Sequence, residues 1–167
     1  MGRDVTKAGR GSENKIPFVI AVSTTEDNRP MQMVASRVPG FTSEAIRSWA
    51  QIRLTPESDV CNDGLACFSV LSDLGHAYTA HIAKRRESSR CPGMPWVNTV
   101  LGNIKRSIDS SYHSFRFAKY SQRYLSEAMW RFNRRFNLAT MVPTLLSHIA
   151  QSRPLTEAQL RVQNAYY

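Results

Sequence analysis

The 167-residue chain has no apolar run approaching the roughly 18 residues a membrane-spanning helix needs, which excludes such a span. Residues 1–14 carry no apolar stretch, so no secretory leader is expected there. Cysteine is scarce. Cys61, Cys67 and Cys91 are odd in number and lack CxxC spacing, which argues against a zinc ribbon or a disulfide framework and favours a reduced, cytoplasmic setting. Internal repeats and low-complexity tracts are missing, so solenoid and fibrous architectures are excluded. Acid is also in short supply: 13 Asp and Glu stand against 22 Lys and Arg, for a net charge of +9.

A basic domain of this size favours an anionic partner, and nucleic acid is the first expectation. Hydrophobic residues make up 42% of the chain, enough for one domain core. Residues 1–14, with three glycines among charges, read as a flexible start. The apolar run 15–22 and the alternating run 31–38 read as two strands of a hairpin around the polar turn 24–30. Thr42 or Ser43 caps a helix whose apolar face is Ala45, Ile46, Trp49, Ala50 and Leu54, ended by Pro56. Residues 59–62 form a short strand, 65–74 a helix stopped by Gly75, and 76–82 another strand. A basic loop follows over 84–95. Helices are expected over 98–108 and about 115–136, with two shorter ones at 142–150 and 156–166 separated by Pro154. This order predicts an α/β fold with a central mixed sheet and flanking helices. It divides into a core over 15–113 and a helical segment over 114–167 packed on it.

The chemistry concentrates in Val60-Cys61-Asn62-Asp63-Gly64, at a strand end. Asn98 follows Asp63 by 35 positions, and Lys105 follows Asn98 by seven, two helical turns along one face. A carboxylate, a second oxygen ligand and a cation in this layout suit metal-dependent strand transfer on nucleic acid. Paired Mg²⁺ ions need hard oxygen ligands, and Asn supplies a carbonyl without charge, so another carboxylate from an earlier strand is required. Asn-Asp-Gly is also a turn sequence, Asn98 also a fitting N-cap, and Lys105 and Arg106 also ordinary solvent-facing charges. His76, His81 and His113 read as packing and hydrogen-bonding residues. Trp96 reads as a loop residue packed on the core, with base stacking as the alternative.

An ordered series carries a family resemblance: Gly9-Arg10-Gly11-Ser12-Glu13-Asn14-Lys15, Asn62-Asp63-Gly64, Trp96 to Lys105 (WVNTVLGNIK), Tyr124-Leu125-Ser126-Glu127, and Trp130-Arg131-Phe132-Asn133-Arg134-Arg135. It resembles the catalytic domain of the bacterial insertion-sequence transposases numbered fifteen ninety-five, DDE-type enzymes many of which have Asn in place of the third acid. The resemblance spans about residues 8–140. It implies an RNase H-like fold, and DNA cleavage and joining with Mg²⁺ or Mn²⁺. Carried over, Asp63 matches the second acid, Asn98 the third ligand and Lys105 the cation after it. Asn103 is an alternative third ligand.

Glu127 is another alternative, because Tyr120, Arg123, Glu127 and Arg134 resemble the signature of a second transposase class; a helix-face network of Arg123, Glu127 and Arg131 is the plainer reading. Arg106, Arg131, Arg134 and Arg135 are expected on DNA phosphate. The family's first acid lies on a strand upstream of the segment 9–15. Asp4 and Asp27 do not suit it, so the first acid and first strand are expected to be missing. The expectation is a truncated transposase, inactive alone and nucleoid-associated. Its partners would be DNA, a full-length transposase or further copies of itself, and not a membrane. The alternative is a non-catalytic DNA-binding or transposase-inhibiting protein.

Overall fold

The computed structural model describes residues 16–80, 94–111 and 117–162. Expectations that fall on residues 1–15, 81–93, 112–116 and 163–167 lie outside the described residues. Among them are the segment 9–15, Asp4, His81, His113, Cys91 and the Lys84, Arg85, Arg86 and Arg90 loop.

β1 (Phe18–Thr24) and β2 (Pro30–Arg37) form the expected antiparallel hairpin. Its turn is closed by Asn28 N–H to the Thr25 carbonyl at 2.9 Å, and by Arg29 N–H to Thr25 Oγ1 at 3.1 Å. Asn28 sits at φ 57°, a left-handed conformation that its short polar side chain tolerates. α1 (Ser43–Arg53) starts where its cap dictates: Thr42 Oγ1 accepts from Ala45 N–H at 3.2 Å, and Glu44 lies in the first turn. β3 (Asp59–Asn62) pairs in parallel with β4 (Ala77–Ala80). Their crossover is shorter than a full helix. A 3-10 turn, Ala66–Ser69, runs into the single turn of α2 (Val70–Asp73), and Gly75 at φ 80° reverses the chain.

α3 is Met94–Ser111, α4 Phe117–Asn133, α5 Leu138–Gln151 and α6 Glu157–Val162. α3 begins four residues before the expected start, with Pro95 in its first turn, where a missing N–H costs nothing. Asn98 therefore stands inside the helix, and the N-cap reading of this residue is corrected.

The strand period of two sorts the hairpin's side chains onto two helical layers. Val19, Ala21 and Val34 join Ile46, Trp49, Ala50, Val70 and Leu71 beneath α1 and α2. Phe18, Ile20, Val22, Met33 and Ala35 join Val100, Ile104 and Leu125 beneath α3 and α4. Val60 of β3 and Tyr78 of β4 pack against the first cluster, so both strand pairs rest on the same α1 layer.

The fold is mixed α/β, as the element order requires. The expected single mixed sheet is instead two two-stranded ladders, β1–β2 and β3–β4, with no ladder joining β1 to β3 among the described residues. The reduced-cysteine expectation is corrected at Cys61, which is disulfide-bonded; spacing along the chain does not disclose a pairing made by tertiary proximity. Cys67 is a free, buried thiol.

The outer edge of β2 is closed by side chains of α4 and the turn after it. Asn133 Oδ1 accepts from Met33 N–H at 2.7 Å, and its Nδ2 donates to the Met33 carbonyl at 3.0 Å. Gln122 Oε1 accepts from Arg37 N–H at 2.8 Å, and its Nε2 donates to the Ala35 carbonyl at 3.4 Å. Arg135 donates to the Met31 carbonyl at 3.1 Å and also to that of Pro30. In an antiparallel ladder, residues opposite outward-facing positions also face outward. Val22 and Ile20, paired with Met33 and Ala35, thus turn their backbone groups away from β2.

Candidate functional site

Asp63 stands at the C-terminal tip of β3, where two asparagine-type turns in succession shape the chain. Asn62 is buried; its Oδ1 accepts from Gly64 N–H at 2.8 Å and its Nδ2 reaches the Thr79 carbonyl at 3.5 Å. That pins the end of β3 to β4 and lets Gly64 take φ 75°. Asp63 itself is exposed, and its Oδ1 accepts from Leu65 N–H at 3.3 Å. Asn62 makes the tighter of the two turns, and Asp63, with one long hydrogen bond, keeps an exposed carboxylate.

The carboxylate is also felt by Cys67. Burial raises the thiol's pKa most, its backbone hydrogen bond lowers it, and the charge of Asp63 raises it further.

Asn98 and Lys105 are both exposed on α3. At about 100° per residue they share one face, turned roughly 130° from the Val100 and Ile104 stripe that packs on the hairpin. No hydrogen bond joins Asp63 to Asn98 among the described residues, and neither residue lines either of the two grooves that follow. One, between α3 and α4, is lined by Ile104, Tyr124, Glu127 and Arg131 among others. The other, about 520 Å³, lies between α1, the end of β2 and Gln122.

The remaining candidates have local partners. Asn103 Oδ1 accepts from Arg106 Nη2 at 2.7 Å, so the alternative ligand and the phosphate candidate engage each other. Glu127 pairs with Arg131 at 2.9 Å, one helical turn on, as the helix-face network predicts. Arg134 stacks over Trp130 with 4.7 Å to the ring centroid. Arg135 lies between Phe132 and Phe136, at 3.8 and 4.1 Å, while gripping β2, and burial lowers its pKa. Its dual hydrogen bonding to a strand edge had no signal in the sequence beyond its place in an Arg-Arg pair. Trp96 Nε1 donates to the Asn28 carbonyl at 2.6 Å, which ties α3 to the hairpin turn. His76 is buried, and its Nδ1 has no partner among the described residues.

As a donor set for divalent cations, these residues fall short. Asp63 supplies one carboxylate and Asn98 one neutral oxygen. No group of three His, Cys, Asp or Glu among the described residues is placed to hold a metal ion. A pair of Mg²⁺ ions needs more negative charge than this. Asp27 lies in the hairpin turn, and Asp4 is outside the described residues.

A family profile for the ISXO2-like transposase domain of the IS1595 group matches residues 2–133. The chain belongs to that family of insertion-sequence transposase domains. No curated protein and no solved structure matches the chain. The match ends at the last residue of α4 and leaves α5 and α6 outside it. No helix among the described residues is long and apolar enough to cross a membrane.

Proposed function

We propose that the chain is part of the catalytic core of a DNA transposase, built on an RNase H-like plan, and that it does not cut DNA by itself. The observation that carries this reading is the divided sheet. An antiparallel hairpin and a parallel strand pair rest on one helical layer with no ladder between them, β2 is closed on its outer side, and β1 turns backbone groups the other way. One strand lying between β1 and β3 would make a single mixed sheet, and such a strand ending in an acid would sit beside the tip of β3.

In this reading Asp63 and Asn98 are the chain's contribution to a metal site and Lys105 contacts a DNA phosphate, with Arg106, Arg131 and Arg134 further along the same anionic track. The Arg131–Glu127 pair lies at the surface, where phosphate competes with it readily. The partner is DNA, in whichever compartment holds it. A plasmid-nicking assay with Mg²⁺ or Mn²⁺ tests the proposal: no nicking is expected, whereas robust nicking abolished by Asp63→Ala would overturn the claim of inactivity.

The second reading is a non-catalytic role, as a DNA-binding protein or an inhibitor that pairs with a full-length transposase. The +9 charge favours its DNA-binding form. Affinity for duplex DNA should then fall steeply as salt rises, because binding releases condensed counterions. A salt-insensitive interaction would point to a protein partner instead.

A further inference from the structure

We infer that α5 is a self-association helix, and that its apolar face receives the same helix of a second copy of this chain. α5 buries no residue in its own fold. Leu138, Val142, Leu145 and Ile149 are 67, 62, 46 and 59% exposed, although the helix is among the most apolar segments of the chain. Their spacing is four, three, four. That is the 3.5-residue repeat of a coiled-coil seam, with Leu at both d positions and β-branched Val and Ile at both a positions. This combination suits two parallel strands. Leu146 flanks the seam at an e position and Met141 at a g position, widening the apolar strip. Pro143 falls at b, on the outer side, where its ring meets no partner helix.

Charge selects the occupant. Residues 138–151 contain no Lys, Arg, Asp or Glu, in a chain of net charge +9. Two like-charged copies therefore repel least when they meet through this face. DNA finds no cation here. A membrane surface is also a poor fit, because interfacial helices carry Lys or Arg on the polar side, and α5 offers Thr140, Thr144, Ser147 and Gln151 instead. The helix lies outside residues 2–133, the span that the transposase-domain profile matches.

Size sets the strength. Fourteen residues make a helix about 21 Å long. Pairing two such faces buries on the order of 1,000 Å² in total, the lower limit for a specific interface. The association is therefore weak and reversible, with half-dimerisation on the order of 10–100 µM.

Sedimentation equilibrium of the full chain tests this. The weight-average mass should rise with concentration from 18.9 kDa towards twice that value. The double variant Leu145→Asp/Ile149→Asp should stay monomeric at every concentration. The milder Val142→Ser should weaken the dimer at least threefold, and Ser147→Glu, at the outward f position, should behave as the parent chain. Because all four side chains are exposed, thermal melts by circular dichroism should match in dilute solution, which separates lost association from lost folding. A parent chain that stays monomeric to several hundred micromolar overturns the inference. So does a double variant that dimerises like the parent, or co-sedimentation with phosphatidylcholine–phosphatidylglycerol vesicles in place of self-association.

Discussion

Asn133 holds both backbone groups of Met33, a residue 100 positions earlier, accepting at 2.7 Å and donating at 3.0 Å. A side-chain amide thus takes the place of a neighbouring strand. Asn133→Ala leaves a part-buried N–H and carbonyl without these partners and should cost about 1–3 kcal/mol of unfolding free energy. Asn133→Asp keeps the acceptor for Met33 N–H but sets a carboxylate oxygen against the Met33 carbonyl, so it too should be less stable than the parent chain. Urea denaturation of the three proteins gives the ranking; equal stabilities would mean that water replaces the amide at this edge.

Neighbouring residues at the tip of β3 should behave differently. Asn62→Ala removes the acceptor for Gly64 N–H and the link to Thr79, and should lower stability by about 1–3 kcal/mol. Asp63→Ala removes one exposed 3.3 Å hydrogen bond and should stay within about 0.5 kcal/mol. Matching losses in thermal or urea unfolding would make Asp63 a plain turn residue.

The Cys67 thiol should resist alkylation. Burial and then the Asp63 charge hold its pKa above the ordinary value, against the pull of its backbone hydrogen bond. At pH 8 under native conditions, iodoacetamide should label it at least tenfold more slowly than it labels the same thiol in urea, a conservative expectation for a protonated and shielded group. With the folded value above the unfolded one, the neutral thiol's contribution is complete below the unfolded pKa and is lost as pH rises through the folded pKa. Fast labelling at pH 8 in the folded protein would contradict this.

Trp96 ties α3 to the hairpin through the Asn28 carbonyl. Trp96→Phe keeps most of the ring and loses the donor, which should cost about 0.5–1.5 kcal/mol in stability. DNA affinity should be unchanged, because the indole is engaged with the protein's own backbone. A drop in affinity for single-stranded DNA without a stability change would restore base stacking as its role.

Local chemistry made much of this fold legible. The alternation of 31–38, the Thr42 cap and the strand 59–62 stand close to β2, α1 and β3 because hydrophobic period and capping act within a few residues. The start of α3 was misplaced because Pro95 reads as a loop residue, although proline is at home in a first helical turn. Pro143 similarly stands within α5, which begins at Leu138, four residues before the helix expected over 142–150. The divided sheet was not visible in the chain, since strand pairing depends on contacts distant in sequence. Nor was the clasp of β2 by Gln122, Asn133 and Arg135, three polar residues that resemble any others on a helix flank. At the candidate site, motif order pointed to Asp63, Asn98 and Lys105. Spacing alone does not say that Asn62 makes the tighter, buried turn and leaves the Asp63 carboxylate exposed.

The closure of β2 also bears on the fate of the chain in crowded solution. A hairpin open on both flanks is a template that can recruit neighbours endlessly from either side, the first step towards a fibril. With one flank stoppered by α4, the described hairpin offers at most one edge to another hairpin, so sheet growth by edge pairing goes no further than two molecules.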